Sequence, residues 1–138
     1  MSIYLDASVV VPLFVDEDST DRMIAWLAEG HRAVLSDWTV AEVSSAMSHH
    51  VRRKRLDPDE RDAAETNLNA WLDRSSMPEG VDVLDVTDAR ALLHRHPNLR
   101  TPDALHLAIV HRLKADLATY DDDLAEAAAR DGVVVVAP

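Results

Sequence analysis

Short apolar runs alternate with helix-like segments along this chain, and this alternation constrains the fold more than any other feature. Each predicted strand is apolar on both faces, which is typical of a parallel sheet that helices cover on both sides. The pattern therefore predicts a three-layer α/β/α sandwich whose central, mostly parallel sheet has four to five strands. The predicted strands are IYL (3–5), AVLS (33–36), VDVLDV (81–86), ADLATY (115–120) and VVVV (133–136).

The segments between these runs carry helix start and stop signals. Pro58 and Pro102 suit the first turn of a helix, and Gly30 and Gly132 suit its end. The 138 residues fit a single domain, 1–138. The predicted helices are 16–30, 39–55, Asp57-Pro58 towards Trp71, Thr87 or Asp88 to about His94, Thr101-Pro102 through Leu113, and 121–132.

The composition limits which kinds of bond and metal site the protein can contain and where in the cell we expect it. The chain has no cysteine, which excludes disulfides and thiolate metal sites. It shows no basic leader and no apolar run near the roughly 20 residues of a membrane helix. We therefore expect a soluble cytoplasmic protein with no membrane contact.

The net charge of −11 argues against a nucleic-acid binder, because phosphate contacts need basic side chains. Two features weaken that argument. Bound divalent cations would offset several carboxylates. The stretch HHVRRKR (49–55) also holds four of the fourteen lysines and arginines, either to steer RNA or as a solvated helix end.

Four acids fall where a parallel sheet gathers its functional groups, at strand ends and helix starts. Asp6 follows the first strand, Asp121 follows LATY, Asp103 lies in a first helical turn, and Glu42 interrupts an apolar helix face. Singly, each could be a turn, cap or solvated residue. Together they form a costly cluster unless cations neutralise it, and oxygen-only ligands favour Mg²⁺ or Mn²⁺. Such ions support phosphodiester hydrolysis by an activated water.

Two other classes of protein fit parts of this pattern. A phospho-receiver domain also places acids at strand ends, but it needs a lysine at a late strand end. The only lysines, Lys54 and Lys114, fall in predicted helices. A catalytically inactive interaction protein is the other alternative, against which the presence of all four acids counts.

Four stretches resemble the PIN domain family and, within it, the VapC toxins, the ribonucleases of VapBC toxin–antitoxin pairs. They are IYLDASVVV, TVAEVSSA, LRTPDALHLAIV and LATYDDDLAEAA, in the family's order and over essentially the whole chain. The resemblance implies a metal-dependent endoribonuclease, the toxin of a type II toxin–antitoxin pair, using Mg²⁺ or Mn²⁺. It also implies a homodimer, an RNA substrate and a VapB-type antitoxin partner.

The resemblance also assigns roles to individual residues. Asp6, Glu42 and Asp103 would hold the principal metal, and Asp121 would bind a second ion or orient the attacking water. The family's helper hydroxyls fall on Ser8 and Thr119, with ordinary turn and strand-end hydroxyls as the alternative.

Four further side chains have open roles. Asp122 and Asp123 would lie in the first turn of the last helix, although Asp123 could help to hold a second ion. Arg100 could meet a phosphate or pair with an acid. His106, on the same side of its helix as Asp103, could touch substrate or serve as a hydrogen-bonded structural histidine.

Overall fold

The structure is a computed structural model that describes residues 1–75 and 77–138. These residues form four strands, seven α-helices and one short 3-10 helix. The elements are β1 (Ile3–Leu5), α1 (Ala7–Val10), the 3-10 helix (Val11–Leu13), α2 (Thr20–Ala28), β2 (Ala33–Val34), α3 (Asp37–Arg52), α4 (Pro58–Arg74), α5 (Val83–Arg95), α6 (Thr101–Leu113), β3 (Asp116–Ala118), α7 (Asp122–Arg130) and β4 (Val135–Val136). The four helices α3 to α6 lie in succession between β2 and β3.

The four strands form one parallel sheet in the order β2-β1-β3-β4. In its register, Ile3 pairs with both Ala33 and Asp116, and Leu117 pairs with Val135. The first strand and the third are therefore central neighbours, although most of the chain separates them. This sheet confirms the predicted α/β architecture.

Successive side chains of the central strands point to opposite faces of the sheet, and each face carries its own core. Tyr4 and Leu117 are buried against α5, α6 and α7. Leu5 and Ala118 are buried on the other face, against α1 to α4. The two cores make the three layers that the sequence predicts, and they hold β1 and β3 rigidly from both sides.

We predicted the stretch VDVLDV (81–86) as a strand, and this prediction is wrong because a helix begins within it. Helix α5 starts at Val83 rather than at the predicted Thr87 or Asp88. Asp82 is the residue before the helix, and its carboxylate accepts a hydrogen bond from the backbone N–H of Leu84 at 2.9 Å.

A capping box explains why this helix starts early. The Asp85 carboxylate accepts a hydrogen bond from the backbone N–H of Asp82 at 2.8 Å, which completes the reciprocal pair. The apolar residues that suggested a strand are mostly exposed: Val83 by 78%, Leu84 by 64% and Val86 by 59%. The capping contacts of Asp82 and Asp85 therefore favour a helix here, although the stretch is a short apolar run.

The helices of the described residues include none that is long and apolar enough to cross a membrane.

Candidate active site

The carboxyl ends of β1 and β3 bring Asp6 beside Thr119, because these strands are parallel neighbours. The Asp6 side chain is 3% exposed. Its Oδ1 accepts hydrogen bonds from the Ser8 hydroxyl at 2.6 Å and from the Val9 backbone N–H at 3.3 Å. Its Oδ2 accepts one from the Thr119 hydroxyl at 2.5 Å. Both oxygens are thus held in a fixed orientation.

Asp6 has no cationic side chain among these hydrogen-bond donors. Burial raises the pKa of its carboxyl, and the hydrogen bonds from Ser8 and Thr119 only partly oppose that effect. A buried carboxylate satisfied by neutral hydroxyls alone remains costly to ionise. Asp6 is therefore a site where a nearby positive charge would be strongly favoured.

Asp121 lies next to this pair and is tied to it through Thr119. Its backbone N–H donates to the Thr119 hydroxyl oxygen at 2.9 Å. Its own carboxylate caps α7 by accepting the backbone N–H of Leu124 at 2.7 Å. The Ser8 hydroxyl makes a parallel link, since it accepts the backbone N–H of Tyr120 at 2.8 Å. Ser8 and Thr119 thus lock the ends of two strands together around Asp6.

Asp103 lies in the first turn of α6, with its side chain 15% exposed. Burial raises the pKa of its carboxyl, and the negative charges of Asp121 and Glu42 raise it further. The positive charge of Arg100 opposes the increase. The Nε atom of Arg100 is 3.6 Å from the Asp103 carboxylate, but Arg100 is 80% exposed, so this pair is weak.

Glu42 reaches the cluster from α3 with a side chain that is 25% exposed. Its Oε2 is in hydrogen-bond contact with Nε2 of His106, a residue of α6 that is almost completely buried. The sequence offered two roles for His106, contact with substrate or a structural hydrogen bond. It gave no sign that His106 contacts Glu42, because 64 positions separate the two residues.

The remaining acids of the DDD stretch lie outside this cluster. Asp122 and Asp123 are exposed in the first turn of α7. Asp123 lines a small separate cavity with His96 and Asn98. The structure therefore brings together Asp6, Glu42, Asp103 and Asp121, and it does not bring Asp123 to them.

A cavity of about 720 Å³ adjoins the carboxylates through Ser8, which lines it. Arg22 and Tyr120 also line this cavity, and the guanidinium carbon of Arg22 is 5.0 Å from the centre of the Tyr120 ring. Glu17 and His50 lie on its wall, with His50 Nε2 3.4 Å from the Glu17 carboxylate. An open space with a cation and an aromatic ring therefore borders the acids.

The donor set suits a hard divalent cation, since four carboxylates supply only oxygen ligands. Burial raises the pKa of both the Asp6 and the Asp103 carboxyl, and neighbouring acids raise that of Asp103 further, so a bound cation would stabilise the ionised forms. However, within residues 1–75 and 77–138 no group of three or more Asp, Glu or His side chains is arranged to hold a metal ion. The Asp6 oxygens instead face Ser8 and Thr119, so binding requires some side-chain rearrangement.

Comparison with known proteins gives the class to which this fold and site belong. Residues 3–130 match the PIN domain family. Over 99% of its length the chain is 36% identical to Ribonuclease VapC46 of Mycobacterium tuberculosis, and it covers 98% of that protein.

Two solved structures have the same fold. The crystal structure of Mycobacterium tuberculosis VapC20, a Sarcin-Ricin loop cleaving toxin, aligns with a TM-score of 0.73 at 20% identity, covering 99% of both chains. The structure of VapBC2 from Rickettsia felis, bound to a DNA fragment from their promoter, aligns with a TM-score of 0.69 at 15% identity, covering 99% of this chain and 98% of that one. The chain belongs to the PIN domain family, in the branch of the VapC ribonucleases.

Proposed function

We propose that this protein is the toxin of a type II toxin–antitoxin pair and an endoribonuclease that hydrolyses RNA phosphodiester bonds with the help of Mg²⁺ or Mn²⁺. One observation carries the proposal. Asp6, Glu42, Asp103 and Asp121 gather at the carboxyl ends of β1 and β3 in a chain related over its full length to a VapC ribonuclease.

In this proposal the chain's own residues hold the site in shape. Ser8 and Thr119 orient both oxygens of Asp6, and Thr119 also fixes the backbone of Asp121. Asp103 and Glu42 face them from α6 and α3. We assign Asp6, Glu42 and Asp103 to the principal ion and Asp121 to a second ion or to the attacking water. A bound divalent cation would lower the pKa of that water and stabilise charge on the phosphate.

The cavity beside Ser8 is the proposed place for the RNA strand. Arg22 offers a guanidinium that can pair with a phosphate, and Tyr120 offers a ring on which a base can stack. This local cation matters because the chain as a whole carries a charge of −11 and repels nucleic acid.

We further propose a VapB-type antitoxin as partner and a homodimer as the assembly. Support for the antitoxin comes from the VapBC2 structure, whose fold this chain shares. The second copy rests on the family resemblance alone.

A phospho-receiver is disfavoured by the position of the lysines. Lys114 ends α6 and Lys54 follows α3, so neither lies at the carboxyl end of a strand. The inactive interaction protein remains the alternative that experiment must separate from the enzyme.

The first test is RNA cleavage by the purified chain in Mg²⁺, in Mn²⁺ and in EDTA. We expect cleavage with at least one of the two ions and none in EDTA. Asp103→Asn should abolish it, whereas Asp59→Asn, a matched change at an exposed position in α4, should not. Undiminished cleavage in EDTA would overturn the metal assignment. No cleavage, together with no Mn²⁺ binding by calorimetry, would favour the inactive interaction protein.

A further inference from the structure

Four polar side chains are buried beneath the carboxylates, although none of them is an acid. Tyr4 of β1, Ser36 before α3, Thr39 in α3 and His106 in α6 are each at most 1% exposed. A buried polar group without a hydrogen-bond partner costs about 1–3 kcal/mol, so the contacts of these groups are informative. Three of them, Ser36, Tyr4 and His106, form a connected row that we call the buried polar chain, and it ends on Glu42.

The contact with Glu42 fixes the direction of the hydrogen bonds at His106. An ionised carboxylate only accepts, so Nε2 of His106 must carry the proton that it donates to Glu42. In a neutral imidazole the other nitrogen, Nδ1, is then an acceptor. It lies 2.8 Å from the Tyr4 hydroxyl, which therefore donates to it.

The far end of the buried polar chain agrees with this direction. The backbone N–H of Thr39 donates to the Ser36 hydroxyl oxygen at 3.2 Å, which leaves the Ser36 proton free to donate. The Tyr4 hydroxyl oxygen is 2.6 Å away and can accept it, because the proton of Tyr4 is donated to His106. The Thr39 hydroxyl is 3.0 Å from the Leu5 carbonyl, which only accepts. Every donor from Ser36 onward is thus directed towards Glu42.

We propose that Tyr4 and His106 are positioning residues for Glu42: Tyr4 keeps the His106 proton on Nε2, and His106 then holds Oε2 of Glu42 in place. Oε1 is left to meet the cation, and in this respect the inference rests on the proposed function. Glu42 needs such support because its side chain is long and 25% exposed. Groups that orient a metal-binding side chain typically change metal affinity by about 10–100-fold.

The first measurement is the tautomer of the neutral His106 imidazole, by ¹⁵N NMR of the metal-free protein at a pH high enough that the ring carries a single proton. We expect a neutral imidazole protonated at Nε2, with the signal assigned by its loss in His106→Gln. Tyr4→Phe removes the donor to Nδ1 and should raise the fraction protonated at Nδ1. A wild-type imidazole protonated at Nδ1 or at both nitrogens would overturn the proposal, as would an unchanged tautomer in Tyr4→Phe.

The second measurement separates positioning from mere structural support by Mn²⁺ affinity. Glutamine can place its amide N–H where Nε2 lies, whereas asparagine reaches only the position of Nδ1. We expect His106→Gln to bind Mn²⁺ within about threefold of wild type and His106→Asn to bind about tenfold more weakly. His96→Gln, a control at a buried histidine on the far side of α5 and α7, should change nothing. Equal affinities for the glutamine and asparagine variants would contradict the proposal.

The two measurements can contradict the proposed metal site and the proposed role of the buried polar chain independently of each other. A wild-type protein that binds no Mn²⁺ would overturn the proposed metal site. The tautomer of His106 and its response to Tyr4→Phe would still decide whether the buried polar chain orients Glu42.

Discussion

Two aspartates of this protein, Asp6 and Asp85, are both almost inaccessible to solvent, but Asp6 lies deeper in the protein and the two accept hydrogen bonds from different kinds of donor. Asp85 is 1% exposed and Asp6 is 3% exposed. The Asp85 carboxylate accepts hydrogen bonds from Nε and Nη2 of Arg112 at 2.8 and 2.9 Å. The two residues thus form a bidentate ion pair between α5 and α6. The Asp6 carboxylate accepts hydrogen bonds from two hydroxyl groups and one backbone N–H, and none of these donors is charged.

The carboxyl pKa values move in opposite directions as a result. At Asp85 burial favours the neutral carboxyl, but the hydrogen bonds from Arg112 and Asp82 outweigh it and lower the pKa. At Asp6 burial prevails and the pKa is raised. A carboxylate with a structural role thus has its cation within the chain. The carboxylates at the ends of β1 and β3 lack one, which supports the proposed binding of a cation there.

The strongest test of this comparison is the same substitution at both positions. Asp6→Asn should lower RNA cleavage at least about a hundredfold, since a catalytic metal supplies several kcal/mol. Its melting temperature in EDTA should equal or exceed that of wild type, because a costly charge is gone. Asp85→Asn should do the reverse, with normal cleavage per folded molecule and a lower melting temperature. Equal losses of stability in the two variants would remove the distinction.

Removing the cation of the paired aspartate sharpens the same contrast. Arg112→Met should lower the free energy of unfolding by about 2–3 kcal/mol, because it leaves a buried carboxylate without its partner. We place the effect below that of a fully enclosed pair, since the Arg112 side chain is 32% exposed. Urea unfolding measures it, with Arg61→Met as a control at a pair that is mostly exposed. A loss no larger than that of the control would show that Asp85 does not depend on Arg112.

Substitutions in the DDD stretch (121–123) test which of its aspartates belongs to the cluster of acids. Asp121→Asn should lower cleavage about tenfold or more, because Asp121 adjoins Thr119 and Asp103. Asp122→Asn should keep most of the activity, since Asp122 is exposed in the first turn of α7. The opposite ranking of the two cleavage rates would assign the fourth acid to Asp122.

The smallest predicted effect is the pH dependence of the stability that the ion pair of Asp85 contributes. The lowered pKa of Asp85 means that its ion pair contributes its full stability above the unfolded-state pKa of about 3.9. That contribution is lost as pH falls through the still lower pKa of the folded state. The difference in unfolding free energy between wild type and Asp85→Asn, in EDTA, should therefore shrink between about pH 5 and pH 3. A difference that grows as the pH falls would contradict the sign.

Local sequence signals account for the positions of two of these acids. Asp6 directly follows a buried strand and Asp103 follows a Thr-Pro helix start, so parallel topology brings them to one edge. Only the family resemblance distinguished Asp121 from its two neighbours as the candidate for the site. Asp121 is the residue before α7, and its carboxylate accepts the backbone N–H of Leu124 as an ordinary helix cap.

The failures of prediction come from contacts that sequence spacing does not record. VDVLDV (81–86) is a short, mostly apolar run like a strand, but Asp82 and Asp85 cap a helix there, and Arg112, 27 positions away from Asp85, forms an ion pair with Asp85. The contact between Glu42 and His106 likewise depends on how α3 packs beside α6. Only the spacing of His106, three residues after Asp103 on one helix face, hinted that it lies near the site.

The pairing of the first strand with the third also governs when activity can arise. Asp6 and Thr119 are 113 positions apart, so a growing chain lacks part of the proposed site until nearly all of it has been made. Closing such a long loop is slow and becomes favourable only once the intervening helices can pack. We therefore expect a chain that is still being synthesised, or one truncated before Thr119, to lack the RNA-cleaving activity proposed for the complete fold.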